Sequence, residues 1–115
     1  MNQITILPAT IGNLINLEEL QLSANDFSVF PIEITGLIKL RIFYLTQNSI
    51  SFVIPSDIGL LVNLEQLSLG SNNLTTLPSE VGNLIKLTSL DLSYNSLSTL
   101  PSTLVNLTNL LSISL

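Results

Sequence analysis

In residues 77–100, LPSEVGNLIKLTSLDLSYNSLSTL, apolar side chains fall in the order LPxxxGNLxxLxxLxLxxNxLxxL, and the same order runs through the whole chain. In the x-L-x-L portion apolar and polar positions alternate with period two, which predicts a short strand with one buried face. The portion before it opens with proline, suited to the first turn of a helix because it lacks a donor that would go unpaired there. Ser79-Glu80, Ser56-Asp57 and Ser102-Thr103 follow the proline, and small hydroxyls and acids suit the same first turn. Gly12, Gly59 and Gly82 arrive too soon for a long helix, so one or two turns of α or 3-10 helix are expected.

Two markers set the period. Prolines stand at 8, 31, 55, 78 and 101, in steps of 23, 24, 23 and 23. The asparagines after each L-x-L stand at 25, 48, 72 and 95, in steps of 23, 24 and 23. Residues 1–115 therefore read as a single domain: residues 1–6 match the tail of a preceding repeat, residues 7–29, 30–53, 54–76 and 77–99 are repeats, and residues 100–115 are a truncated one. A repeat of this size cannot bury its apolar face alone, and stacking makes the core continuous. Leu20, Phe43, Leu67, Leu90 and Ile113 are expected in one inner column, and Leu22, Leu45, Leu69, Leu92 and Leu115 in the next.

The fixed residues resemble the leucine-rich repeat family, whose LxxLxLxxNxL consensus is matched at nearly every position in four copies. The LPxxIGNLxxL half is similar to intracellular repeats of the Ras-group type and to the ectodomains of plant receptor-like kinases. Asn48-Ser49-Ile50-Ser51-Phe52-Val53-Ile54-Pro55 resembles the NxLSGxIP ending of the plant type and accounts for the extra residue of the second repeat, with Phe52 where that type has Gly. Bacterial and protist surface proteins carry similar repeats. The resemblance implies an α/β architecture: a right-handed solenoid with short parallel strands on a concave face and short helical or 3-10 segments on a convex face. It also implies a structural role for Asn25, Asn48, Asn72 and Asn95, whose amides would satisfy backbone groups of the turning chain. Asn13, Asn83 and Asn106 read as turn formers.

The positions that the repeat leaves unspecified are the candidate binding face. They include Glu18, Glu19, Gln21, Arg41, Ile42, Tyr44, Glu65, Gln66, Ser68, Asp91 and Tyr94. These positions vary while their neighbours repeat, and Tyr44 and Tyr94 are of the type favoured as interface anchors. Glu18, Glu19, Glu65 and Asp91 against Arg41 give the strands a net charge of −3.

Composition narrows the chemistry. Charged residues are 10% of the chain, and the formal net charge is −5 with three basic residues, so the phosphate-neutralising patch of a nucleic-acid binder is missing. With neither Cys nor His there is no disulfide, thiol nucleophile or imidazole base. The carboxylates lie on an open surface without the enclosing pocket that acid–base catalysis needs. They also lack the loop spacing of a Ca²⁺ site. No catalytic residue, metal or cofactor is expected. Residues 92–115 are uncharged, but Asn95, Pro101, Asn106 and Asn109 interrupt them at intervals that exclude a membrane span. Asn73-Leu74-Thr75 and Asn106-Leu107-Thr108 match the glycosylation acceptor pattern, in a chain rich enough in Asn, Ser and Thr for chance matches.

Met1-Asn2-Gln3 does not begin a signal peptide, and both cytoplasmic and cell-surface locations remain compatible. Ile4, Ile6, Ile113 and Leu115 lie on expected outer edges without cap-like sequence, so the chain reads as a piece of a longer array, with self-association through uncapped ends as the alternative. The functional expectation is a protein–protein interaction module that binds a protein or peptide on its concave face, as the recognition part of a receptor or signalling scaffold. The alternatives are a structural or adhesin spacer without a discrete site, and a regulatory segment of a larger enzyme such as a receptor-like kinase.

Overall fold

A computed structural model describes residues 2–115, with every side chain in that span except that of Phe52. Each x-L-x triplet is a three-residue strand with its apolar residue turned inward. The strands are β1 (Glu19–Gln21), β2 (Ile42–Tyr44), β4 (Gln66–Ser68), β6 (Ser89–Asp91) and β7 (Ser112–Ser114), and they form one sheet in the order β1-β2-β4-β6-β7. All pairs are parallel, with Leu20, Phe43, Leu67, Leu90 and Ile113 in one register row. A slip of one residue would turn that row to solvent, so burial fixes the register.

The core is the inner row together with the leucines on either side of it. Phe43, Leu45, Leu64, Leu67, Leu69, Leu87, Leu90 and Leu92 are buried. Phe30 meets Phe43 edge to face, with ring centroids 6.1 Å apart. Burial fades toward the outer strands, where Leu20 is half-buried and Ile113 and Leu115 are exposed. Leu14, although at a recurrent position, is also exposed.

Among the described residues, five 3-10 helices cover the opposite side: η1 (Ala9–Asn13), η2 (Ile32–Gly36), η3 (Ser56–Leu60), η4 (Ser79–Asn83) and η5 (Ser102–Asn106). The prolines sit one place earlier than their expected first-turn position. Each caps its helix, and its carbonyl accepts the N–H three residues on, as from Ile11 to Pro8 at 2.9 Å. No side chain caps any of these helices; Ser79 donates to the Glu80 carboxylate instead. Proline caps without a side-chain acceptor, so the hydroxyls after it are released from that task. Ile34, Ile58 and Val81 point inward from η2, η3 and η4. At Gly82 a Cβ would lie 2.6 Å from the Thr103 Cβ and 2.7 Å from its carbonyl oxygen, so glycine sets how closely η4 and η5 approach.

A second sheet was not legible in the pattern. β3 (Ser51–Val53) pairs in parallel with β5 (Asn73–Thr76), with a register irregularity between Phe52 and Val53. It lies between the asparagine and the next proline of repeats two and three.

Candidate functional site

The outward side chains of the main sheet stand in rows set by the strand register. One row is Glu19, Ile42, Gln66, Ser89 and Ser112, and another is Gln21, Tyr44, Ser68, Asp91 and Ser114. Just before the strands, backbone hydrogen bonds link Glu18, Arg41, Glu65, Thr88 and Leu111 into a further row. Glu18, Glu19, Gln21, Arg41 and Tyr94 are exposed, whereas Ile42, Tyr44, Glu65, Gln66, Ser68 and Asp91 are half-buried between neighbouring side chains. Tyr44 is thus less open than its position suggests. Its hydroxyl donates to the Gln66 Oε1 on the next strand.

Two charged groups organise this face. Arg41 lies between two acids: its Nε and second guanidinium nitrogen donate to the two Glu65 carboxylate oxygens at 2.9 and 3.0 Å, and its third nitrogen reaches Glu18 at 3.2 Å. Donating to Glu65 and Glu18 raises the Arg41 pKa further, and the bond from Arg41 holds the Glu65 carboxyl below its usual range against a smaller opposing effect of burial. Asp91 accepts from the Ser68 hydroxyl at 2.9 Å, and from the Ser93 hydroxyl at 2.6 Å and N–H at 3.0 Å. Desolvation pushes this carboxyl up, but the Ser93 and Ser68 bonds together outweigh it and the net shift is downward. Gly70 leaves the space: a Cβ there would lie 2.8 Å from the Asp91 Oδ2. The carboxylate is therefore fixed in direction by the chain itself.

Under the face, the asparagine column ties repeats together. Asn72 accepts the Ile50 N–H at 3.1 Å and donates to the carbonyls of Leu69, Gly70 and, one repeat back, Leu45. Asn48 and Asn95 repeat this set, and Asn25 accepts from Ile4 and donates to Leu22 and Ser23. Asn25 and Asn72 are buried, and Asn48 and Asn95 are half-buried. The residue before each asparagine is left-handed: Ala24, Gln47, Ser71 and Tyr94 have φ of 57°, 54°, 52° and 54°. None of the four is glycine, and nothing in their residue types signals this turn.

Sequence reasoning also missed a ladder on the flank, one residue ahead of the first leucine of each LxxLxL motif. Its column is Asn16, Lys39, Asn63, Lys86 and Asn109. Lys39 donates to Asn16 Oδ1 at 2.8 Å and Lys86 to Asn63 Oδ1 at 2.7 Å. Asn63 and Asn109 donate to the carbonyls of Ile38 and Ile85 at 2.7 and 2.8 Å. The alternation was available to inspection, since the column keeps the same steps as the prolines. Beside it Glu18, Lys39, Arg41, Asn63, Glu65 and Lys86 line an open cleft of about 300 Å³. Among the described residues no group of three or more His, Cys, Asp or Glu could hold a metal ion, and no helix is long and apolar enough to cross a membrane.

The leucine-rich repeat family model matches residues 15–74 and 62–115. No curated protein matches the chain. Among solved structures, a leucine-rich-repeat protein of Leptospira interrogans is 37% identical with a TM-score of 0.86, over 99% of this chain and 29% of that protein. The ectodomain of the receptor kinase SOBIR1 from Arabidopsis thaliana is 29% identical with a TM-score of 0.84, over 99% of this chain and 66% of that one. The plant peptide hormone receptor RGFR1, solved in complex with RGF2, is 37% identical with a TM-score of 0.78, over 92% of this chain and 18% of the receptor. The chain thus spans only part of the length of each of these proteins. It belongs to the leucine-rich repeat family.

Proposed function

We propose that the chain is a protein-binding module that takes a polypeptide partner across its concave sheet. The observation that carries this reading is the contrast between a repeated, hydrogen-bonded scaffold and an outward face whose residues vary along the sheet, from Glu19, Ile42 and Gln66 to Ser89 in one row and from Gln21, Tyr44 and Ser68 to Asp91 in the other. Asp91 and Arg41 are already oriented by neighbouring side chains, so binding costs little further ordering. RGFR1, similar in fold and sequence, was solved with RGF2 bound, which supports a peptide or protein as the ligand class. Glu19 and Asp91, outside the Arg41 ion pairs, favour a partner segment with basic or hydrogen-bond-donating groups, and Tyr44 and Tyr94 supply aromatic area.

The test is capture of partners from cells of the source organism by the wild-type chain and by a Glu19→Ala/Tyr44→Ala/Asp91→Ala variant with an unchanged circular dichroism spectrum. Loss of the captured protein in the variant is expected. Equal capture by both would reject the concave site and favour a spacer role.

A further inference from the structure

The flank of the solenoid carries a feature that the scaffold does not need. One residue before the Asn/Lys ladder, Ile15, Ile38, Val62 and Ile85 occupy the same place in four successive repeats and are 54%, 58%, 48% and 55% exposed. They form an aliphatic stripe about 14 Å long, three steps of about 4.8 Å between stacked strands. The fold does not demand an apolar residue there, since Thr108 takes the position in the fifth repeat. Next to the stripe stand all three basic residues of a chain whose net charge is −5. Lys39, Arg41 and Lys86 line one cleft, and against its two acids they leave that cleft at +1. Glu65 and Glu18 both bond Arg41, a triad of net −1 that stands against the +2 of the two lysines, and Lys86 also acts on the Glu65 carboxylate. Each ammonium gives one N–H to an asparagine at 2.8 or 2.7 Å and, among the described residues, keeps two free.

We propose that this flank is a second docking surface, bordering the concave face and sharing Glu18, Arg41 and Glu65 with its edge, for a polypeptide segment that alternates aliphatic and carboxylate side chains. Its aliphatic residues lie along Ile38, Val62 and Ile85. Its carboxylates reach into the cleft and accept from the Lys39 and Lys86 ammonium groups on either side of Asn63. The rest of the molecule is acidic and would turn such a segment away, so charge selects the flank and the stripe gives the area.

The probe is a blocked synthetic peptide of alternating leucine and glutamate, titrated into the isotope-labelled chain and followed by amide chemical shifts. Saturable shifts are expected at residues 38–39, 62–63 and 85–86. Lys39→Glu/Lys86→Glu should weaken binding roughly tenfold or more while leaving the spectrum of the remaining amides in place. Because both ladder lysines also bond asparagines, Ile38→Ser/Ile85→Ser gives an independent variant that keeps the ladder and should weaken binding as well. Three controls decide the occupant. A leucine–lysine peptide that binds equally, a serine–glutamate peptide that binds as tightly, or binding of anionic phospholipid vesicles in place of the peptide would overturn the proposal. So would shifts confined to the strand residues 42–44, or charge-reversed variants that bind unchanged.

Discussion

At the scale of single residues, the asparagines and the residues before them carry opposite energies. Asn72 satisfies one N–H and three carbonyls, all buried. Each group left unpaired costs about 1–3 kcal/mol, so Asn72→Ala should lose roughly 3 kcal/mol in urea denaturation. Asn13→Ala, on the exposed end of η1, should change stability by less than about 0.5 kcal/mol. The left-handed residues work the other way. A residue with a Cβ costs about 1–2 kcal/mol in that conformation, while glycine costs about 0.4–1 kcal/mol in chain entropy. Ala24→Gly should therefore raise stability by roughly 0.5 kcal/mol, read from the denaturation midpoint. Asp91 makes a prediction in pH. Its folded pKa is depressed, so its contribution is complete above the ordinary value of 3.8 and is lost as pH falls through the lower folded value. Asp91→Asn should flatten the acid side of the stability profile there and leave its neutral-to-alkaline shape unchanged.

At the scale of elements, the convex side should be more sensitive to added volume than its exposure suggests. Gly82→Ala would drive a methyl into Thr103 and should cost about 1–3 kcal/mol. Gly36→Ala, whose Cβ meets the Gly12 backbone at 3.2 Å, should cost less, and thermal melts of the two variants would rank them. The main strands and 3-10 helices were legible because burial demands a period, and leucine, proline and asparagine each keep it. The β3–β5 pair was not, since Ser51 to Val53 carries no hydrophobic alternation that neighbouring repeats lack at the same place. The left-handed turns were hidden for a similar reason: Ala, Gln, Ser and Tyr adopt them only because the asparagine bonds on either side over-determine the backbone. Among candidate face residues, membership of the face was readable from the two-residue alternation. Their partial burial was not, because it depends on which side chain stands one strand away, as Gln66 does for Tyr44.

At the scale of the molecule, each repeat touches mainly its neighbours, so stability accumulates along the stack. In the 115-residue chain, amide exchange should be slowest at the ends of the central strands, at the buried Leu45 and Leu69, whose N–H groups donate to the backbone carbonyls of Ser68 and Asp91. Among the bonded amides of the sheet, exchange should be faster at Leu111 and Ser112, in the outermost repeat, than at Leu45 and Leu69. Equal protection along the whole stack would instead indicate one all-or-none unit. The flank column adds a constraint that neither core nor sheet imposes. Because ammonium and amide alternate there, the array has a parity. Excising one repeat, residues 54–76, would set Lys39 against Lys86 with no amide oxygen between them, whereas excising residues 30–76 would leave Asn16 facing Lys86 as it now faces Lys39. Gain or loss of repeats by recombination should then be tolerated more readily in pairs than singly, a bookkeeping of even and odd written on the side of the molecule rather than in its core.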